Sequence, residues 1–101
     1  MKKVWRHGDI LIETAAAIPP GARKRPTVVL AWGELTGHSH RIEAPAAAEI
    51  WERREATYLN VLRETARLVH QEHKPITLPR GVYRFWHQRE YTPQAIRRVV
   101  D

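Results

Sequence analysis

The fold turns on residues 49–73, EIWERREATYLNVLRETARLVHQEH. Read with a helical period, Leu59, Leu62, Ala66, Val69 and His73 recur at spacings of three and four and would share one face. Pro45 suits the first turn of such a helix and Pro75 its stop. Read with a period of two, the stretch breaks into short strands at 49–51, 57–62 and 66–70, with turns at Arg53-Arg54-Glu55 and Arg63-Glu64. Thr57, Tyr58, Asn60, Val61, Thr65, Val69 and two histidines are mediocre helix formers, which speaks for strands. Periodicity alone leans to the helix. One reading gives an α+β fold with a long helix in 46–73; the other gives an all-β domain.

Working outward, residues 4–13 read as one strand ending in the β-branched run Ile10-Leu11-Ile12. Residues 14–26 read as a flexible basic connection, because Pro19-Pro20-Gly21 cannot continue a strand or helix and Arg23-Lys24-Arg25 follows. Residues 27–35 form a second strand, in which Val28 to Trp32 look buried on both faces. Gly33 and Gly37 bracket its end. Downstream, 76–78 is a short strand and Pro79-Arg80-Gly81 a tight turn. Residues 82–91 form a long strand with Val82, Arg84 and Trp86 on one face and Tyr83, Phe85 and His87 on the other. Thr92-Pro93 then opens a short C-terminal helix, as N-cap and first position.

A chain of 101 residues with 43% hydrophobic content can bury one core, so residues 1–101 are expected to form a single domain. The absence of cysteine excludes disulfides, thiolate metal sites and thiol nucleophiles. No stretch has the length of a signal-peptide core or of a membrane span, so a cytoplasmic location is expected. The net charge of +6 rests on thirteen Arg and four Lys. Arginine's planar fork suits phosphate and carboxylate, which points to an anionic partner, RNA among the candidates.

Two resemblances follow from the text of the chain. Gly37-His38-Ser39-His40-Arg41-Ile42, together with residues 68–84, LVHQEHKPITLPRGVYR, resembles a family of short bacterial proteins of unassigned function. That resemblance implies no activity, but it implies strand in the central region and tips the expectation to an all-β barrel or sandwich. The second resemblance is to the cupin superfamily. Gly33, the pair His38-Ser39-His40 and Glu43 are similar to its first motif, and Pro79-Arg80-Gly81 to its second, with each spacing short by about one residue. By that resemblance His38, His40 and Glu43 would be metal ligands, and Arg84 stands where a further histidine ligand belongs.

The histidines carry the chemistry. His38 and His40 flank one residue, so on an extended chain both rings project from one face and can share an ion or flank a scissile bond. His70 and His73 lie three apart, compatible with a helix face or a strand entering a turn. Imidazoles without cysteine suit a divalent transition metal, with His38, His40, Glu43, His70 and His73 as candidate ligands. The same groups suit metal-independent RNA cleavage, in which His38, His40, His70, His73 or Glu72 would move protons and Arg41, Lys74 or Arg84 would hold phosphate. Trp32, Trp51 and Trp86 would stack bases in that case, although tryptophan in so small a chain is more often core. His7 and His87 read as structural. A third reading is an assembly subunit without chemistry, and a homo-oligomer paired through sheet edges is expected on general grounds.

Overall fold

The computed structural model describes residues 2–33 and 37–88. It contains strands β1 Val4–His7, β2 Ile10–Thr14, β3 Arg23–Lys24, β4 Val29–Trp32, β5 Ser39–Ile42, β6 Ala48–Arg53, β7 Ala56–Val69 and β8 Ile76–His87. A 3₁₀ turn, Pro45–Ala47, joins β5 to β6. The fold is all-β, as the strand reading of 49–73 expects, and no long helix occupies 46–73. The short helix expected at Thr92-Pro93 falls outside the described residues. No described helix is long and apolar enough to cross a membrane.

All pairings are antiparallel, in the order β1-β2-β8-β7-β5-β4, with β6 bridging β7 and β3. The axis of the sheet is β7. Along one edge it takes β8; along the other it takes β6 opposite residues 56–61 and β5 opposite residues 68 and 69. Between Val61↔Gly81 and Thr65↔Pro79 the register shifts, with three residues of β7 facing one of β8. Such a bulge bends the strand and re-aims its side chains. The buried residues of β7 are accordingly Leu59 and Val61 before it, and Ala66 and Leu68 after it. Arg63-Glu64 is thus the bulge inside one strand and not a turn between two.

Pro79-Arg80-Gly81 likewise lies within β8 and does not form the expected tight turn. Gly81 supplies the unusual φ of 148° at the bend. Along 76–81 β8 pairs only with β7, since β2 and the following Ala15 meet it at 82–87, and a proline is tolerated on a strand with an open edge. The buried Tyr83 donates its hydroxyl to the Pro79 carbonyl and packs edge-on against Trp5, which ties the bend to β1.

Three further expectations are corrected. Residues 4–13 are two strands, because Gly8, with φ +62°, and Asp9 turn the chain between His7 and Ile10. Glycine at the first central position of a two-residue loop is the type II′ hairpin signal. The segment 14–26 is anchored where Arg23 and Lys24 pair with Glu52 and Trp51; Lys24 and Arg25 also meet Glu49 and Glu52 at 3.4 and 2.8 Å. Finally, β4 ends the strand order. Leu30 is its one buried residue and Trp32 is 63% exposed, so this strand is not buried on both faces.

One core binds these elements. Ile10, Ile12, Ile42, Ile50, Leu59, Val61, Leu68, Leu78 and Tyr83 are fully buried, and each such side chain contributes roughly 1.5–3 kcal/mol relative to exposure.

Candidate metal centre

Three separate stretches of chain meet at one end of this core. The β1–β2 hairpin brings His7, β5 brings His40 with His38 just before it, and the connection from β7 to β8 brings His70 and His73. His40 contacts His70 and His73 at ring-centroid distances of 4.4 and 5.7 Å, and His70 lies 4.6 Å from His73. His38 packs on His70 at 5.6 Å. His7 stands 5.0 Å from His40 and 5.8 Å from His73. The two pairs singled out by spacing therefore converge.

One nitrogen each from His40, His70 and His73 lies within 4.8 Å of the others, close enough for a single cation. His40 is buried, His70 half-buried and His73 exposed, so the group opens to solvent on one side. Gly8 floors it. A Cβ there would stand 2.7 Å from His73 Nε2 and 3.0 Å from His40 Cε1.

Hydrogen bonds fix the protons of the buried pair. His7 Nε2 faces the Lys74 carbonyl at 3.0 Å, and a carbonyl only accepts, so His7 carries its proton on Nε2. Its bare Nδ1 then accepts from His40 Nδ1 at 2.9 Å. Neutral His40 is left with its lone pair on Nε2, the form a metal ligand requires. His70 differs: its Nδ1 accepts the backbone N–H of Glu72 at 2.9 Å, which puts the neutral ring's proton on Nε2.

Burial and the mutual repulsion of imidazolium charges keep these rings neutral. Burial is the chief reason that His40 is lowered from 6.5 to about 3, followed by the charges of His70, His7, His73 and His87. His7 is lowered by burial, partly offset by its bond to Lys74. His70 is lowered by burial and then by His73 and His38, against a raising contribution from Glu72.

The remaining predicted site residues are placed variously. Glu72 approaches His38 Nδ1 at 3.5 Å and is exposed. Glu43 points elsewhere, to Arg67 at 3.8 Å, and stands outside the three-nitrogen group, as does His38. Of the ligands implied by the cupin resemblance, only His40 belongs to that group. Arg41 is exposed on β5 and acts on His70 through its charge. Lys74 takes part through its carbonyl. Arg84 lies on β8 with its guanidinium 5.7 Å over the Trp86 ring. His7 was legible only through the Gly8-Asp9 turn signal, which places it at a hairpin end rather than in mid-strand. No curated protein and no solved structure matches the chain. A family model described as "Domain of unknown function (DUF8820)" matches residues 6–88, and the chain belongs to that family.

Proposed function

We propose that this protein binds one divalent transition metal through His40, His70 and His73, with His7 orienting His40 from behind. The observation that carries this reading is the convergence of three imidazole nitrogens within 4.8 Å beside a hydrogen-bond relay that presents His40 Nε2 unprotonated. Three protein ligands with a solvent-facing fourth position suit a centre that activates water or holds a small substrate, whereas a closed four-ligand site would serve structure alone. Such a metal would supply Lewis acidity; the chain's own part is to hold three imidazole side chains in place and keep water off the buried side.

Loading requires one local change. With His70 Nδ1 accepting from Glu72, the cation can be ligated only when that amide lets go, either to free Nδ1 or to let it take the proton shed by Nε2.

The competing reading, RNA cleavage by histidine acid and base alone, needs an imidazolium near neutral pH. Burial lowers His40 to about 3 and lowers His7 and His70 as well, so that reading would have to draw its imidazolium from outside these three rings. Neutral imidazoles are what a metal demands.

Elemental analysis of tag-free protein tests the proposal. About one equivalent of a transition metal is expected, lost in His40→Ala, His70→Ala and His73→Ala but retained in His87→Ala. Metal-free protein that fails to take up zinc, nickel, copper, manganese or iron would overturn it.

A further inference from the structure

Two cavities meet at the tip of the β6–β7 hairpin. One, of about 480 Å³, is lined by Pro19, Arg53, Arg54, Tyr58 and Arg84. The other, of about 300 Å³, shares Arg54 and Arg84 with it and reaches Trp86 and His87. Both volumes fall in the range of small-ligand sites. The acidic groups on these walls are Glu52 and Glu55, and Glu52 is already committed to Arg25 at 2.8 Å. Among the described residues Arg53, Arg54 and Arg84 make no ion pair. Three guanidinium groups therefore face one carboxylate.

Arg54 is placed in a way that stability does not ask for, and Arg84 is held in a fixed orientation. Arg54 occupies the hairpin tip with φ +58°, the left-handed region that favours Gly, Asn or Asp. A strained residue of this kind points from conformation to function. Arg84 is the ladder partner of Tyr58, and its guanidinium is steadied over the Trp86 ring. The planar fork of arginine matches two phosphate oxygens at once, which lysine cannot do.

We propose that this cleft binds a small phosphate-bearing ligand, with Arg54 and Arg84 donating to the phosphate oxygens. The site is distinct from the histidine centre but neighbours it. His87 lines the smaller cavity and pairs with Ile10, which is also the partner of His7.

Isothermal titration of the 101-residue chain after chelator treatment tests the cleft independently of any metal, with inorganic phosphate and adenosine monophosphate as probes. One saturable site is expected for at least the nucleotide. Arg54→Gly and Arg84→Lys should each weaken it at least about tenfold, the scale of a lost charge-assisted contact. Arg54→Gly should melt no lower than the parent, because glycine takes the positive φ without strain, so its loss of binding cannot be ascribed to unfolding. Arg67→Gln, at a residue paired with Glu43, should leave binding unchanged. The proposal is overturned by an absence of saturable binding, by binding in both cleft variants as tight as in the parent, or, with an oligouridine strand as a third probe, by binding of that strand alone with no sensitivity to either substitution. The last result would mark diffuse attraction to a +6 surface.

Discussion

Replacing Gly8 by alanine probes the metal centre from beneath. The added Cβ would stand 2.7 Å from His73 Nε2 and 3.0 Å from both His40 Cε1 and His73 Cδ2. Comfortable separation for such atoms is about 3.5 Å, so something must retreat by roughly 0.8 Å. His40 is buried and bonded to His7, whereas His73 is exposed on a connection, so His73 is the ring that moves. Ligand distances in metal sites tolerate only about 0.2 Å. Alanine at φ +62° adds a backbone cost of roughly 1–2 kcal/mol. For a domain of this size each kcal/mol lowers Tm by about 4–8 °C. Gly37→Ala separates the two effects, because it has a comparable φ of +75° with nothing within 4 Å of its Cβ. Both variants should lose similar stability without metal, by thermal melting in chelator. Only Gly8→Ala should lose metal affinity, by about tenfold or more in a cobalt titration followed by visible absorbance. Metal binding unchanged in Gly8→Ala, or equally impaired in Gly37→Ala, would refute the placement of the imidazoles above this glycine.

Three other outcomes are expected. His7→Ala strips the buried His40 Nδ1 of its partner and should cost roughly 1–3 kcal/mol of stability and 10–100-fold in metal affinity, read by melting and competition titration. In metal-free protein the unfolded chain binds more protons than the folded one between pH 6.5 and about 3, since His40 is lowered across that interval and His7 and His70 are lowered too. Stability is thus whole above about pH 6.5 and is lost as pH falls; Tm should decline from about pH 7 to 4 and decline less in His40→Gln. Adding zinc to labelled protein should shift the Glu72 amide resonance more than that of Thr57, and an unmoved Glu72 would contradict the required release of His70 Nδ1.

How much of this was legible in the chain varies by element, for physical reasons. Of the residues at helical spacing, Leu59 and Ala66 are buried on a bent strand, whereas Leu62 is exposed and Val69 only half-buried. The bulge at 62–64 moves the buried positions from Leu59 and Val61 to Ala66 and Leu68, and a change of parity in mid-strand imitates a longer period. Local pattern cannot distinguish the two, because the bulge is defined only by β8 opposite. The alternation of Tyr83 and Phe85 against Arg84 was readable because it needs no partner to be seen. His38/His40 and His70/His73 were visible as pairs, yet their convergence depends on β5 and the end of β7 pairing as neighbours. The arginine cleft was hidden for the same reason. Arg54 and Arg84 are thirty residues apart, and the +6 charge did not say which arginines face one another.

The bond between His7 and His40 joins parts of the sheet that the ladder keeps apart: β1 begins the strand order, and β5 lies four places along it. Two rings thus act as a fastener between the end strand β1 and the inner strand β5, and the hairpin glycine leaves room for the imidazoles beside it. A domain fastened this way adds a polar seam to the apolar core that binds its strands. Should the seam open, the end strands would be held less firmly, with Val4 and Trp32, already 61% and 63% exposed, along them. Exposed end strands recruit further strands. Loss of the histidine contacts would then register as self-association before it registered as unfolding.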